Sequence, residues 1–265
     1  MWRLFHVLLL SVFASTVWAA DPEPPRRLSP EYSPRLYELQ VYRSSPGKLD
    51  ALHARLRDHQ IPLLEKHGVI TAGVFVPAGE NPEGIVYVLA SAEGLGALQD
   101  GWAAFIEDPA WRRVQTETDG DGKLVLEAAK SRLRTTSWSP AFTAEKASKS
   151  RVFELRTYTC PDRAKHSALM RRFREHTMKL FSKHGMNNLV YWTPDEEPEA
   201  SRKLVYLLAH DSVDAAQKSF AAFRADPEWL AARKASEEQA GGSLTTQENG
   251  VVSEFLQATE YSPLR

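Results

Sequence analysis

Two histidines hold equivalent places in two related stretches of this chain. His59 lies within Leu56-Arg-Asp-His-Gln-Ile-Pro-Leu-Leu-Glu-Lys-His-Gly68, and His176 within Phe173-Arg-Glu-His-Thr-Met-Lys-Leu-Phe-Ser-Lys-His-Gly185. Each follows an apolar residue by three (Leu56, Phe173) and precedes one by four (Leu63, Leu180). On a regular α-helix that spacing puts the imidazole on the apolar stripe, facing the sheet. There it could serve as a general base, a haem or metal ligand, or a polar anchor for a bound molecule. It could equally be a core histidine whose ring nitrogens bond backbone or a strand side chain.

A second set of chemical groups alternates along two matching strands. Glu154, Arg156 and Tyr158 share one face, as do Glu38, Gln40 and Tyr42. With both sheet faces covered, these groups point into enclosed space. Arg156 could hold an anionic substrate group while Tyr158 donates a hydrogen bond. Glu154 and Arg156 could instead neutralise each other. Because Gln40 replaces the arginine in the first stretch, an anion-binding pocket present only once belongs to the second.

Other candidates read more simply. His67 and His184 sit in the last helical turn before Gly68 and Gly185, where histidine complements the helix dipole and bonds free carbonyls. Reach argues against a metal site from His59 and His67, since eight helical residues span about 12 Å. Asp108-Pro-x-Trp111 and Asp226-Pro-x-Trp229 read as helix caps with a packing tryptophan. Cys160 is the only cysteine, so no internal disulfide exists, and it reads as an inert apolar residue. No glycine-rich phosphate loop, Cys-x-x-Cys pair, His-Glu-x-x-His helix or nucleophile elbow occurs. No cofactor and no metal are expected.

The elements that carry these residues occur twice. Leu36-Tyr-Glu-Leu-Gln-Val-Tyr42 returns as Val152-Phe-Glu-Leu-Arg-Thr-Tyr158, and Ala103-Ala-Phe-Ile-Glu-Asp-Pro-Ala-Trp111 as Ala221-Ala-Phe-Arg-Ala-Asp-Pro-Glu-Trp229. The period, about 116–118 residues, exceeds that of solenoid repeats and marks a duplicated domain. Within each copy an alternating strand is followed by a helix with apolar positions at three-and-four spacing: Leu49, Leu52, Leu56 and Leu63, then Leu169, Phe173 and Leu180. Next come two extended runs joined by a Pro/Glu-rich turn, a helical region broken at Asp-Pro, and a last strand. The order, strand-helix-strand-strand-helix-strand, is ferredoxin-like.

The termini and charge set the context. Arg3, the apolar run Leu4–Phe13 and a small-residue exit at Ala19 form the pattern of a secretory signal peptide over residues 1–19. The run is shorter than the about 20 residues a membrane span needs, so no stable span is expected after cleavage, and the protein is expected to be exported, periplasmic or extracellular. A tether with five prolines covers 20–34. Repeat one is expected over 35–134, a linker over 135–150, possessing Trp138 and Phe142 as surface anchors, and repeat two over 151–265. Net charge is −1 with both signs interspersed, which argues against a nucleic-acid partner.

Taken together, Tyr/Phe-Glu-Leu-x-x-Tyr, the histidine-bearing helix ending Lys-His-Gly, and Asp-Pro-x-Trp resemble the NIPSNAP family. Repeat two is the closer match. Repeat one departs at Gln40, at Pro62 inside the first helix, and at Val69, where repeat two has Met186. The resemblance implies the dimeric α+β barrel group, here with one chain supplying both halves, as a monomer or a homodimer. It implies no catalytic set, because the barrel group includes monooxygenases, haem-degrading enzymes, isomerases and members without known chemistry. The expectation is a small-molecule site between the first helix and the sheet of repeat two, formed by His176, Arg156, Tyr158 and Glu154, with His59 and Tyr42 as repeat-one equivalents. In an enzyme, His176 would move a proton. A non-catalytic interaction or scaffold module is the alternative, and a cofactor-light monooxygenase or isomerase a third reading by fold analogy.

Overall fold

The computed structural model describes residues 36–147 and 151–265. The expected leader and tether, and residues 148–150 of the linker, lie outside the described residues.

Repeat one runs β1 (Leu36–Ser44), α1 (Leu49–Arg55), a π-helical turn (Leu56–Gln60), α2 (Ile61–Lys66), β2 (Ile70–Pro77), β3 (Ile85–Ala92), α3 (Leu95–Glu107), α4 (Pro109–Thr118) and β4 (Val125–Thr135). Repeat two follows the same plan: β5 (Val152–Thr159), α5 (Arg163–Arg172), a π turn (Phe173–Thr177), α6 (Met178–Lys183), β6 (Asn187–Pro194), β7 (Lys203–His210), α7 (Val213–Ala225), α8 (Pro227–Gln239) and β8 (Val251–Ala258). Gly68 and Gly185 end their helices at φ +81° and +78°, a conformation that disfavours any side chain. Asp108 and Asp226 cap α4 and α8, accepting from Ala110 N and Glu228 N at 2.8 Å. The capped helices place Trp111 against Phe105 and Trp229 against Phe223, with ring centroids 4.5 and 4.4 Å apart.

The eight strands close into one barrel, in the order β1-β3-β2-β8-β5-β7-β6-β4. Each repeat supplies four adjacent strands, so the barrel has two seams. At one, Phe75, Val76 and Pro77 of β2 face Ala258, Gln257 and Leu256 of β8. At the other, Leu133, Arg134 and Thr135 of β4 face Pro194, Thr193 and Trp192 of β6.

Each seam is lengthened by the chain that leaves its last strand. Thr136 N donates to Tyr191 O and Tyr191 N to Ser139 Oγ, at 2.9 and 3.0 Å. After β8, Thr259 N donates to Val74 O and Val74 N to Ser262 Oγ, at 3.0 and 2.9 Å. The linker and the C-terminal tail are thus the same device used twice.

Strand alternation sorts the side chains. Tyr37, Leu39 and Val41, with Phe153 and Leu155, face inward and meet Phe75, Leu133, Trp192 and Leu256 in a common core. The void left inside holds about 10 Å³, near the size of one water, so the barrel interior is filled. Phe142 of the linker and Leu264 of the tail are part of this core. Phe142 is therefore buried in the barrel instead of resting on its surface. The opposite faces carry the helices, which form separate apolar layers in the two repeats.

Phe142→Ala is expected to lower unfolding free energy by about 3–5 kcal/mol, as for a buried aromatic, read from urea melts. A loss under about 1 kcal/mol would mean that the linker is not part of the core.

Candidate functional site

The structure corrects the placing of His59 and His176, which are both exposed. At each, the helix opens into a π turn: Ile61 N–H bonds Leu56 O, and Met178 N–H bonds Phe173 O, five residues back. The added residue rotates the third position after Leu56 or Phe173 away from the sheet and brings the fourth beneath the helix. Gln60 and Thr177 consequently take the enclosed places. The buried stripes become Leu52, Leu56, Gln60, Leu64 and Leu169, Phe173, Thr177, Phe181, a constant step of four. Pro62 does not cause the π turn, because repeat two forms the same turn with Lys179 at that place.

The strand residues are enclosed, as their alternation implied. In repeat two, Glu154 is 1% exposed and gathers three partners. Arg156 Nη1 lies 2.7 Å from Glu154 Oε1, His210 Nε2 lies 3.0 Å from Oε2, and Ser253 Oγ also bonds Oε1. Burial pushes the Glu154 carboxyl up, but the His210 hydrogen bond, the Arg156 charge and Ser253 outweigh it and hold it below the usual range. Arg156 lies over the Phe220 ring at 4.4 Å and the Tyr158 ring at 5.8 Å. His210 Nδ1 is enclosed without a hydrogen-bond partner.

Tyr158 belongs to the aromatic layer beneath the first helix, 5.3 Å from Phe173 and 5.7 Å from Tyr206 between centroids. Tyr206 stacks on Tyr191 at 5.0 Å, and burial pushes both phenols well above the ordinary value. Cys160 is fully buried, and desolvation pushes its thiol up to about 12, which keeps it protonated and unreactive.

Repeat one keeps the buried carboxylate, as Glu38, but builds the corresponding layer without a counterpart to Arg156 or His210. Gln60 Nε2 donates to Tyr42 Oη at 3.0 Å, Tyr42 donates to Gln40, and Gln40 Nε2 donates to Glu38 at 2.6 Å. Burial pushes Tyr42 up to about 12. By strand register, Gln40 replaces Arg156, Ala92 replaces His210, Lys130 replaces Ser253, and Val74 and Val88 replace Tyr191 and Tyr206.

His210 and Ser253 were not anticipated from sequence. A histidine ending the apolar strand Leu204–Ala209, in phase with the helix-facing Leu204, Tyr206 and Leu208, was the available signal.

The Lys-His-Gly and Asp-Pro motifs prove to be one structural device. His67 and His184 bond Asp108 and Asp226, at 2.8 and 2.7 Å, in place of the helix carbonyls expected of them. Lys66 and Lys183 reach the same carboxylates at 2.8 Å. One aspartate thus caps the later helix and ties it to the end of the earlier one. The lysine and histidine hydrogen bonds hold both aspartates well below the usual carboxylate range.

The NIPSNAP family model matches residues 37–140 and again residues 153–263. The chain belongs to the NIPSNAP family. No curated protein matches it. Among solved structures, a presumed monooxygenase from Fusobacterium nucleatum is 10% identical, covering 86% of this chain and 93% of that one at a TM-score of 0.53. A presumed monooxygenase from Lactobacillus acidophilus is 11% identical, covering 86% and 94% at 0.50. A NIPSNAP-family protein of unknown function from Agrobacterium tumefaciens is 19% identical, covering 42% of this chain and 96% of that one at 0.36. At these identities the first two likenesses concern the fold alone. Among the described residues of this NIPSNAP protein, no helix is long and apolar enough to cross a membrane.

Glu154→Gln is expected to cost about 3–5 kcal/mol at pH 7, the usual loss when one partner of a buried ion pair is removed. The Glu154 pKa is depressed on folding, so its contribution is complete above the unfolded value of about 4.3. It is lost as pH falls through the folded value. Urea melts of wild type and variant should therefore converge on acidification, and a gap independent of pH would exclude this origin. Cys160 is expected to resist Ellman's reagent at pH 8 until the chain is unfolded; rapid native labelling would contradict its burial.

Proposed function

We propose that this NIPSNAP protein is exported and binds a small organic anion in the helix-covered layer of repeat two, at Arg156, Tyr158 and the Glu154–His210 pair. Repeat one then serves as the structural half of the barrel. One observation carries this reading: repeat one forms the same layer with Gln40, Ala92 and Lys130 where repeat two has Arg156, His210 and Ser253. Burying ions costs several kcal/mol each before pairing repays it. Repeat one keeps the buried carboxylate as Glu38, but a half that stands without the arginine and the histidine shows that the fold does not require them in the other, which supports a functional role.

The ligand's anionic group would meet Arg156, displacing it from Phe220, with Tyr158 as hydrogen-bond donor. If proton transfer occurs, His210 supplies it. Its Nε2 is held by Glu154 and its Nδ1 is uncommitted, whereas His176 faces solvent. The alternative, an interaction module without chemistry, draws support from the filled barrel interior and from the structural use of the repeated Asp, His and Lys residues.

Native mass spectrometry of protein purified from its export compartment, beside Arg156→Gln, tests the proposal. The expected result is a mature chain beginning at Ala20 with a small-molecule adduct that Arg156→Gln loses. A wild-type mass without adduct, unchanged in the variant, would favour the interaction module, and an intact leader would refute export. The same spectrum distinguishes monomer from homodimer.

A further inference from the structure

A second opening lies in the other repeat. A cleft of about 310 Å³ sits where β1 ends, between the loop entering α1, the β2–β3 turn and the start of β4. That volume is at the lower end of the range for small-molecule sites.

Repeat two shows how the same place looks when closed. Ser44 N donates to Gly84 O at 2.9 Å, and Cys160 N donates to Arg202 O at 2.7 Å, so Gly84 and Arg202 hold equivalent positions. Arg202 reaches across the gap, its guanidinium donating to Cys160 O and Pro161 O at 3.3 and 2.8 Å. It staples the loop to the turn. Gly84 has no side chain to do so, and its φ of +62° disfavours one; a Cβ there would fall 2.0 Å from Ser44 Oγ. The cleft is therefore built into the backbone of repeat one.

Its lining combines an apolar wall with one cation. Pro46, Leu49 and Pro82 form part of the wall. Leu126 completes it from an irregular point in β4, where the register jumps from Arg43–Glu127 to Ser44–Val125 and leaves Leu126 without an opposite residue. Such bulges re-aim side chains, and Leu126 stands 57% exposed. Arg43 pairs with Glu127 through Nη2, while its Nε is enclosed without a hydrogen-bond partner. The exposed Glu83 carboxylate on the rim opposes entry of multiply charged anions.

We infer that this cleft is a second binding site, for a small amphipathic monoanion whose ring or short chain rests on Pro46, Leu49, Pro82 and Leu126 and whose carboxylate or sulfonate is bound by Arg43. The site is independent of the one proposed in repeat two.

The test is a fluorescence titration of the full mature protein with 8-anilinonaphthalene-1-sulfonate, an aromatic monoanion. All variants carry Arg156→Gln, which removes the anion site proposed in repeat two, and Arg43→Gln or Leu126→Asp, at an exposed position, is added to it. Saturable one-to-one binding to Arg156→Gln is expected, with affinity weakened about 10-fold or more by either added cleft substitution, the scale of losing one charge-assisted hydrogen bond. The inference fails if Arg156→Gln shows no saturable binding, or if either added substitution leaves the affinity unchanged.

Discussion

A four-stranded sheet leaves ladder groups unpaired along both edges, and everything in this protein follows from how those edges are closed. Each repeat alone would end in exposed strands. Joining two repeats in one chain lets β2 meet β8 and β4 meet β6, with three residue pairs at each seam. Ser139 and Ser262 extend the seams by accepting the next amides. Closure turns one face of every strand inward, and the enclosed volume is then filled by Tyr37, Phe75, Phe153, Trp192 and their neighbours. About 10 Å³ is left inside, room for about one water. The clustered polar groups lie instead on the outer, helix-covered faces.

Joining the halves also frees them to diverge. In a barrel of two identical chains, any buried charge would occur twice. Here the cluster of Glu154, Arg156, His210 and Ser253 occurs once, against a layer in repeat one where Gln60, Tyr42 and Gln40 relay to Glu38. The strand ends differ in the opposite sense: Arg202 closes the loop in repeat two, and Gly84 leaves it open in repeat one. Both contrasts leave the shared frame intact, because the frame rests on apolar alternation and on the aspartates that cap α4 and α8 while binding the preceding helix.

Several features were legible in the chain for physical reasons. Period-two alternation placed Phe153 and Leu155 opposite Glu154 and Arg156 whatever the partner strands were. Glycine at positions 68 and 185 marked the helix ends through its access to positive φ, and Asp-Pro marked the caps. The internal repeat, with its strand and helix order, pointed to two ferredoxin-like units, and the resemblance to the NIPSNAP family implied that they share one barrel. The helical phase misled: a three-and-four stripe assumes α-helical bonding throughout, and one π turn in each repeat moved His59 and His176 to solvent.

The sequence by itself determined the duplication and, through its motifs, the family; it also determined the face on which each strand residue lies and the ends of the helices, because these depend on local stereochemistry and periodicity. Only the tertiary structure decided which residues meet. Glu154 and His210 are 56 residues apart, and Glu154 and Ser253 are 99 apart; they join because β5 pairs with β7 on one side and β8 on the other. The cleft beside Arg43 likewise exists because a strand irregularity, a turn and a glycine converge there. Register and closure set these encounters, and both are properties of the assembled sheet that no local pattern encodes.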